Sequence, residues 1–347
     1  TDLHIHAPQY GFRSLGMDLE LLEWLNTRTF PEEEKYADEE YAREGYSIFA
    51  EDLKMGATTR VCAFGTIHRR STEILMDCLE ETGLISRVGK VNMDRNSSPG
   101  LTEESPQKSL EETLLWLEET EGRYENVSPI LTPRFVPSCS DELLKGLGEI
   151  GREKGIPVQS HLSENQGEIR MVKELCPWSA FYGDVYDRFG LFGGENPAIM
   201  AHCVWSSEEE MERMKERGVF VAHCAQSNAN LASGIAPVRR YMDLGLKVGL
   251  GSDVAGGVHT SIFRGMADAI MASKLRWRLV DDSLKPLTVE EAFYLGTRGG
   301  GAFFGKVGSL EKGFEFDAVA MDDSALRSPR TLTLAERLER MIYLSES

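Results

Sequence analysis

The stretch Asp2-Leu3-His4-Ile5-His6 alternates polar and apolar residues as a β-strand does, and it carries two histidines two positions apart. Successive side chains of a strand point to opposite faces, so His4 and His6 share one face. Three later apolar stretches also end in a residue that can ligate a metal: 157–161 ends in His161, 198–202 in His202 and 247–253 in Asp253. Strand ends that carry such residues predict one shared site.

Short β-branched or apolar stretches alternate with helical patterns along most of the chain. The predicted strands are 2–6, 58–64, 85–93, 127–132, 157–161, 198–204, 219–223 and 247–253. The predicted helices are 36–55, 71–82, 107–124, 140–154, 164–175, 206–217, 237–244 and 261–274. Eight strand–helix repeats favour an α/β fold of the closed (β/α)8 barrel type, in which the carboxyl ends of the strands converge. A doubly wound open sheet is the alternative.

Two segments interrupt this alternation. Residues 11–34 form an insertion after the first strand, with a short helix expected from Asp18 to just before Pro31, and the insertion is a candidate lid. Residues 315–321 alternate like a strand but have no obvious partner in a barrel. We therefore divide the chain into a barrel, 1–305, and a carboxyl-terminal segment, 306–347.

Helix-capping signals mark two further boundaries. Ser206-Ser-Glu-Glu209 and Thr288-Val-Glu-Glu291 have the spacing of capping boxes, and Gly218 is a plausible left-handed end of the helix that precedes it. The first box places His202 near the end of a strand rather than inside a helix.

The composition excludes several classes of partner. The chain has 347 residues, with 38 basic and 56 acidic side chains and a net charge of −18. This charge argues against binding to nucleic acid or to an anionic membrane surface. No apolar run approaches the length of a membrane span. Six cysteines without a C-x-x-C pair predict the reduced thiols of a cytoplasmic protein. Because the chain starts without Met, we expect its natural start to lie upstream.

Two glycine-rich motif matches do not indicate a nucleotide-binding function. Gly146-Leu-Gly-Glu-Ile-Gly151 matches a dinucleotide-binding pattern but lies inside a predicted helix, and Val307 replaces the Ser or Thr that a phosphate loop needs.

We expect His68 to be solvated beside its arginine neighbours and His223 to be a core residue, although it could also support the site. His259 has no partner that the sequence suggests.

The remaining histidines and carboxylates point to metal chemistry. Neutral imidazoles and a carboxylate converging on one site suit Zn²⁺, and N and O donors also accept Fe²⁺. Glu164 follows His161 by three residues, which is close enough to reach a substrate and too far to be an obvious ligand. A general-acid role for Glu164 is favoured over that of a first-turn glutamate.

The sequence resembles the amidohydrolase superfamily and, within it, the guanine deaminase family. The similarity runs over nearly the whole chain. The segments that carry it include His4-Ile-His-Ala-Pro-Gln-Tyr10, Thr132-Pro-Arg-Phe135, Gln159-Ser-His-Leu-Ser-Glu-Asn165 and Asp253-Val-Ala-Gly-Gly257. H-x-H with a later Asp indicates only a metallohydrolase, whereas the H-A-P-Q-Y, T-P-R-F and D-V-A-G-G segments are specific to the narrower family.

This resemblance implies one zinc ion held by His4, His6, His161 and Asp253. It implies hydrogen bonds from Gln9 and Arg134 to a purine, a stacking or positioning role for Phe135, and substrate contacts at His161 and His202. His202 would also bond the metal-bound water. Family members carry additional sequence at both ends that forms a small β-sandwich, so residues 315–321 would be its remnant here and its amino-terminal strands are absent. The family is commonly homodimeric.

The expected reaction is hydrolytic deamination of guanine to xanthine and ammonia. A zinc-bound hydroxide would attack C2, Asp253 would take the proton of the water, and Glu164 would protonate N3 and assist the leaving amine. Arg134 would bond the O6 carbonyl. Two alternatives stay open: a deaminase or chlorohydrolase for another heterocycle, such as 8-oxoguanine, a pterin or a triazine, and a non-catalytic binding protein.

Overall fold

The computed structural model describes residues 1–344, and the strands in that range pair in parallel. Their bounds are β1 Asp2–His6, β2 Arg60–Phe64, β3 Ile85–Gly89, β4 Val91–Asn92, β5 Val127–Pro129, β6 Thr132–Pro133, β7 Val158–Leu162, β8 Ala198–His202, β9 Phe220–His223 and β10 Lys247–Leu250. One four-stranded sheet has the order β1-β2-β3-β5, a second has the order β10-β9-β8-β7, and β4 pairs with β6. β4 and β6 continue β3 and β5 after short breaks.

Hydrogen bonds at two seams close these sheets into a barrel. At the first seam, Leu131 bridges to Val158 in parallel, which joins the β5–β6 segment to β7. At the second, the Asp253 N–H donates to the His4 carbonyl over 2.8 Å and the His6 N–H donates to the Val254 carbonyl over 3.1 Å, which joins β1 to the end of β10. The predicted (β/α)8 barrel is therefore confirmed, and the open sheet is wrong.

Helices follow the strands and cover the barrel. They are α1 Leu21–Trp24, α2 Phe30–Glu33, α3 Glu39–Met55, α4 Arg69–Thr82, α5 Pro106–Thr120, α6 Asp141–Lys154, α7 Gln166–Leu175, α8 Tyr182–Arg188, α9 Glu208–Arg217, α10 Ala225–Asn230, α11 Val238–Leu244, α12 Ile262–Leu279, α13 Val289–Tyr294 and α14 Leu334–Leu344. The eight predicted helices are confirmed with shifted ends, whereas α8, α10 and α14 were not predicted. Within residues 1–344, no helix is both long and apolar enough to cross a bilayer.

The insertion after β1 differs from its prediction. A 3₁₀ turn spans Ala7–Phe12, and the helix begins at Leu21 rather than Asp18. It then continues through Pro31, because a π-helical turn at Leu25–Thr29 separates α1 from α2 and places the proline in the first turn of α2. A proline that lacks an N–H is tolerated at the start of a helical segment, so it does not end the helix here.

The predicted strand at 315–321 is wrong. Its backbone forms no ladder with another segment of the described chain, and Phe316 is 88% exposed instead of facing a core. A strand needs partners for its N–H and C=O groups, and within residues 1–344 this segment makes a single backbone bond to another part of the chain, from the Glu315 N–H to the Lys306 carbonyl. Asp317 instead accepts hydrogen bonds from Thr59 and Arg60 on the barrel. The proposed division at residue 305 stays a prediction, and residues 345–347 of the second segment lie outside the described range.

The two capping predictions have different outcomes. Thr288 and Glu291 form the predicted capping box at the start of α13. At α9 the N-cap is Ser207 rather than Ser206, and its hydroxyl accepts the Glu210 N–H. Gly218 ends α9 with a φ of 67°, the left-handed geometry that the sequence predicts. Two adjacent serines offer equivalent capping oxygens, so the spacing alone did not decide between them.

The dinucleotide-like glycines lie inside α6, as predicted, and they serve packing. A Cβ at Gly148 would lie 1.8 Å from the carbonyl oxygen of Phe189. A Cβ at Gly146 would instead meet the side chain of Leu110, which can rotate away. The close approach of α6 to Phe189 therefore requires glycine at position 148.

We predict that Gly148→Ala lowers the free energy of unfolding by about 1–3 kcal/mol, since the backbone oxygen cannot move without shifting its segment. Gly146→Ala is the matched control, because both changes gain about 1 kcal/mol of helix propensity. Urea unfolding of the two variants and the parent measures the difference. Equal stability of Gly148→Ala and the parent would contradict the packing argument.

Candidate active site

Four side chains converge at the carboxyl-terminal mouth of the barrel. His4 and His6 lie on β1, His161 lies on β7, and Asp253 lies three residues beyond β10. Asp253 Oδ1 is 3.1 Å from His4 Nε2 and 3.5 Å from His6 Nε2, and the Nε2 atoms of His6 and His161 are 3.2 Å apart. The structure therefore brings together the four residues that the resemblance assigns to the metal.

Burial keeps the three imidazoles neutral. It lowers the pKa of His4, and it lowers the pKa of His6 and His161 well below the ordinary histidine value, with neighbouring imidazoles adding to the effect. Burial opposes ionisation of Asp253 too, but the His4 and His202 imidazoles outweigh it and hold the pKa of Asp253 well below its usual range. The cluster thus offers neutral nitrogen lone pairs and one carboxylate.

These residues fit a divalent metal ion. Ligands about 2.1 Å from a tetrahedral metal lie about 3.4 Å from one another, which is close to the three donor–donor distances given above. His4 Nε2 is buried beside Asp253 but, within residues 1–344, has no hydrogen-bond partner of acceptable geometry. A cation between the donors would satisfy this nitrogen, and N₃O donor sets bind Zn²⁺ or Fe²⁺.

Hydrogen bonds behind the cluster fix its orientation. His161 Nδ1 donates to the Arg134 carbonyl over 2.6 Å, so its Nε2 lone pair faces the cluster. The buried Asp2 carboxylate accepts the backbone N–H groups of His4 and Ser252 at 3.1 and 3.0 Å. Asp2 thereby links the two chain segments that supply ligands.

His202 and Asp253 hold an uncommon backbone conformation. Their φ angles are 71° and 49°, in the left-handed region that favours glycine. His202 Nδ1 donates to Asn228 Oδ1 over 2.8 Å, and the backbone groups of Asp253 bond His4 and Gly257. Residues other than glycine keep a left-handed backbone conformation where surrounding hydrogen bonds stabilise it, often at functional sites.

Glu164 lies next to this cluster and is buried. Its Oε2 is 3.6 Å from His202 Nε2, and its Oε1 accepts the Ser233 hydroxyl over 2.8 Å. Burial raises the pKa of Glu164 to about 7, with His202 acting against the shift. Burial alone would lower the pKa of His202, but the Glu164 and Asp253 carboxylates outweigh it and raise that pKa. A carboxyl group poised near neutrality can hold or release a proton in the site.

The predicted heterocycle-binding residues line one cavity together with the metal-site residues. Gln9, Arg134 and Phe135 share this cavity with His161, His202 and Glu164. Leu21 and Trp24 from the insertion also line it, and a lid role for the insertion stays a prediction. The Phe135 ring lies 6.4 Å from the His161 ring at a steep angle. An apolar cavity with a few converging polar groups is typical of a small-molecule site.

The other histidines stand apart from this cavity. His68 was predicted to be solvated, but it is only partly exposed: its Nε2 atom is buried, and burial lowers its pKa. His223 is buried at the end of β9 and, within the described chain, neither ring nitrogen has a hydrogen-bond partner, which agrees with a core role. His259 is exposed. The six cysteines are free thiols, and five of them are buried.

Sequence reasoning missed the residues that support the site. Asp2, Glu33, Asn228 and Ser233 are buried, and each bonds a residue named above. Asp2 could have been found, since it shares the face of His4 and His6 by strand alternation. The remaining three are distant in sequence from their partners, so no local spacing marks them.

Fold and site together define a (β/α)8-barrel hydrolase with a donor cluster suited to a divalent metal. The amidohydrolase family matches residues 1–345, and the chain belongs to that family. The family expectation from the sequence is therefore confirmed.

Individual relatives agree with this placement. The guanine deaminase of Mus musculus is 41% identical over 335 residues, which cover 95% of this chain and 73% of the mouse protein. The guanine deaminase of Dictyostelium discoideum is 38% identical, with 99% of this chain and 78% of that protein covered. The structure is also similar to the crystal structure of guanine deaminase from C. acetobutylicum with guanine bound in the active site. That comparison has a TM-score of 0.96 and 49% identity, covering 99% of this chain and 82% of that one.

We predict that Glu164→Gln stabilises the fold increasingly as pH rises. Burial raises the pKa of Glu164 from 4.5 to about 7, so the folded state binds this proton more tightly than the unfolded chain. At pH values above the pKa of Glu164 in the unfolded chain, ionisation of the buried carboxylate lowers the stability of the fold. The full loss is reached above the pKa of Glu164 in the folded state. Glutamine removes that cost.

Urea unfolding at about pH 5.5 and about pH 8.5 measures the effect, and the advantage of the variant should grow by about 1–2 kcal/mol between them. Glu174→Gln, on the exposed face of α7, is the control and should show no such trend. An advantage that is constant across pH would contradict the raised pKa.

Proposed function

We propose that this chain hydrolyses guanine to xanthine and ammonia. The observation that carries the proposal is the single cavity in which a histidine–aspartate cluster, Glu164 and the pair Gln9 and Arg134 meet. The similarity to guanine deaminases over nearly the whole chain supports it, as does the solved relative with guanine in its active site. Each part of the cavity supplies one requirement of the reaction.

His4, His6, His161 and Asp253 are the residues that would hold one zinc ion. When bound, zinc supplies Lewis acidity and allows water to act as a nucleophile at neutral pH. The chain holds these donors in place through the Asp2 carboxylate and the Arg134 carbonyl. Such supporting bonds orient ligand side chains and sustain metal affinity.

Glu164 is the proposed proton donor to the ring nitrogen N3. Its raised pKa lets it carry a proton near neutral pH, and the Ser233 hydroxyl fixes one of its oxygens. Asp253 is the proposed acceptor of the proton that the attacking water releases. His202 lies between the two carboxylates, 3.6 Å from Glu164 and 3.7 Å from Asp253, and would orient the water by a hydrogen bond.

Gln9, Arg134 and Phe135 are the proposed contacts to the purine. Arg134 and Gln9 offer N–H donors that suit acceptors such as O6, and Phe135 offers an apolar ring beside His161. The lid residues Leu21 and Trp24 exclude water from the cavity. A dry cavity strengthens each of these polar contacts.

The cellular setting belongs to the same proposal. Six free thiols are typical of a reducing compartment, which supports a cytoplasmic location. The role in purine catabolism follows from the proposed reaction. A homodimer stays a prediction that analytical ultracentrifugation would check.

We predict that Glu164→Gln binds zinc normally and loses about 10²–10⁴-fold in the rate of ammonia release from guanine, because it cannot deliver a proton. Metal analysis and a coupled ammonia assay measure the two properties, with Glu174→Gln as the control. The parent assayed with 8-oxoguanine, pterins, triazines and adenine tests the alternative substrates. A parental rate in Glu164→Gln would refute the proton-donor role.

We also predict that His161→Ala lowers bound zinc from about one ion per chain to about a tenth or less, because a structural donor is lost. His223→Ala removes an equally buried imidazole from the neighbouring part of the barrel and should keep its zinc. Equilibrium dialysis followed by metal analysis compares them. Loss of zinc in both variants would show that the effect comes from general damage to the barrel.

A further inference from the structure

Glu33, the last residue of α2, is buried between two of the proposed substrate contacts. Its side chain is about 1% exposed. Its Oε1 accepts hydrogen bonds from Gln9 Nε2 at 2.8 Å and from Arg134 Nη2 at 3.1 Å, and its Oε2 accepts one from Arg134 Nη1 at 2.5 Å. One carboxylate thus holds three donated hydrogen bonds from two pocket residues.

These bonds fix the direction of the Gln9 amide. With Nε2 on Glu33, the Gln9 oxygen points away and accepts the Ala255 N–H over 3.1 Å. The oxygen is therefore engaged by backbone, and the second hydrogen on Nε2 remains to be donated. Gln9 is thereby set as a hydrogen-bond donor toward a ligand.

The bonds to Glu33 also fix the plane of the Arg134 guanidinium group and balance its charge. Two of the five guanidinium hydrogens are used on Glu33 in a bidentate pair, and the Phe30 ring lies 5.3 Å from the guanidinium carbon. The buried pair is neutral overall, so the cavity does not demand an anion as its ligand. The guanidinium hydrogens that Glu33 does not use remain as donors.

We infer that Glu33 is a positioning residue that makes the cavity select a heterocycle with a hydrogen-bond-accepting oxo group. It orients Gln9 and Arg134 as donors and does not touch the reacting carbon. Only an acceptor-only group can hold three donated hydrogen bonds at once. A glutamine at position 33 would direct its own N–H₂ group, a donor, at one of the N–H donors of Gln9 or Arg134. This inference rests on the proposed function, since it assigns the substrate's oxo edge to these donors.

The test compares two ligands that differ at this edge. Hypoxanthine carries the 6-oxo group but lacks the 2-amine, so it binds without being deaminated, and purine lacks both. In Glu33→Gln we expect the inhibition constant of hypoxanthine to rise about 10–100-fold, as the loss of charge-assisted hydrogen bonds implies. The inhibition constant of purine should stay within about twofold. KM for guanine should rise more than kcat falls.

Matched variants separate positioning from folding. Glu23→Gln, exposed on the same helical segment, should leave both inhibition constants unchanged. Glu33→Asp keeps the charge but withdraws it by one methylene, and an intermediate loss of hypoxanthine binding is expected. It also replaces Glu33→Gln if that variant does not fold. Zinc content and thermal unfolding are measured on each variant.

The outcomes are distinct. Equal weakening of hypoxanthine and purine, or no weakening of either, overturns the role of Glu33. Failure of the parent protein to release ammonia from guanine overturns the proposed function instead, and in that case dissociation constants of hypoxanthine and purine from isothermal titration calorimetry take the place of the inhibition constants. A changed ratio of the two inhibition constants, with zinc content unaltered, supports the inference.

Discussion

The structure depends on holding three neutral imidazoles and one carboxylate against each other away from water. Buried polar groups without hydrogen-bond partners or a bound ion destabilise a fold, because each has lost its hydration. The chain brings them together only when the barrel closes, since β1 supplies two of them and the segment after β10 supplies the carboxylate. The seam between these segments, made by the backbone groups of His4 and Asp253, is therefore both a structural closure and a part of the site.

A layer of buried polar side chains supports this arrangement. Asp2 ties the two ligand-bearing segments, Asn228 orients His202, and Ser233 orients Glu164. On another wall of the cavity, Glu33 holds Gln9 and Arg134, the two proposed hydrogen-bond donors to the substrate. Each supporting group makes at least one hydrogen bond to a site residue and lies on a helix, a strand or the loop beside one, so the site residues are held before a ligand arrives. The raised pKa of Glu164 follows from the same exclusion of water.

Most of the architecture was predictable, and the errors have physical causes. The repeat of strand and helix was correct because each element shows its own local periodicity. Pro31 did not end its helix, because a π-helical turn precedes it and no local pattern announces one. Residues 315–321 alternate in hydrophobicity but lack a neighbouring strand, and alternation without a partner does not make a sheet. His68 was expected in water, yet tertiary packing buries its Nε2 atom and leaves the residue only partly exposed.

The sequence by itself determined the barrel, the family and the histidines and carboxylates proposed for the site, because strand periodicity and the spacing of rare histidines are local properties. The tertiary structure alone decided how those residues act. It placed Glu33 between Gln9 and Arg134, which stand 24 and 101 positions away from it along the chain. It also set the left-handed backbone of His202 and Asp253 and the desolvation of Glu164. These properties arise from contacts between segments far apart in sequence, and the distances and burial that define them exist only once the barrel has closed.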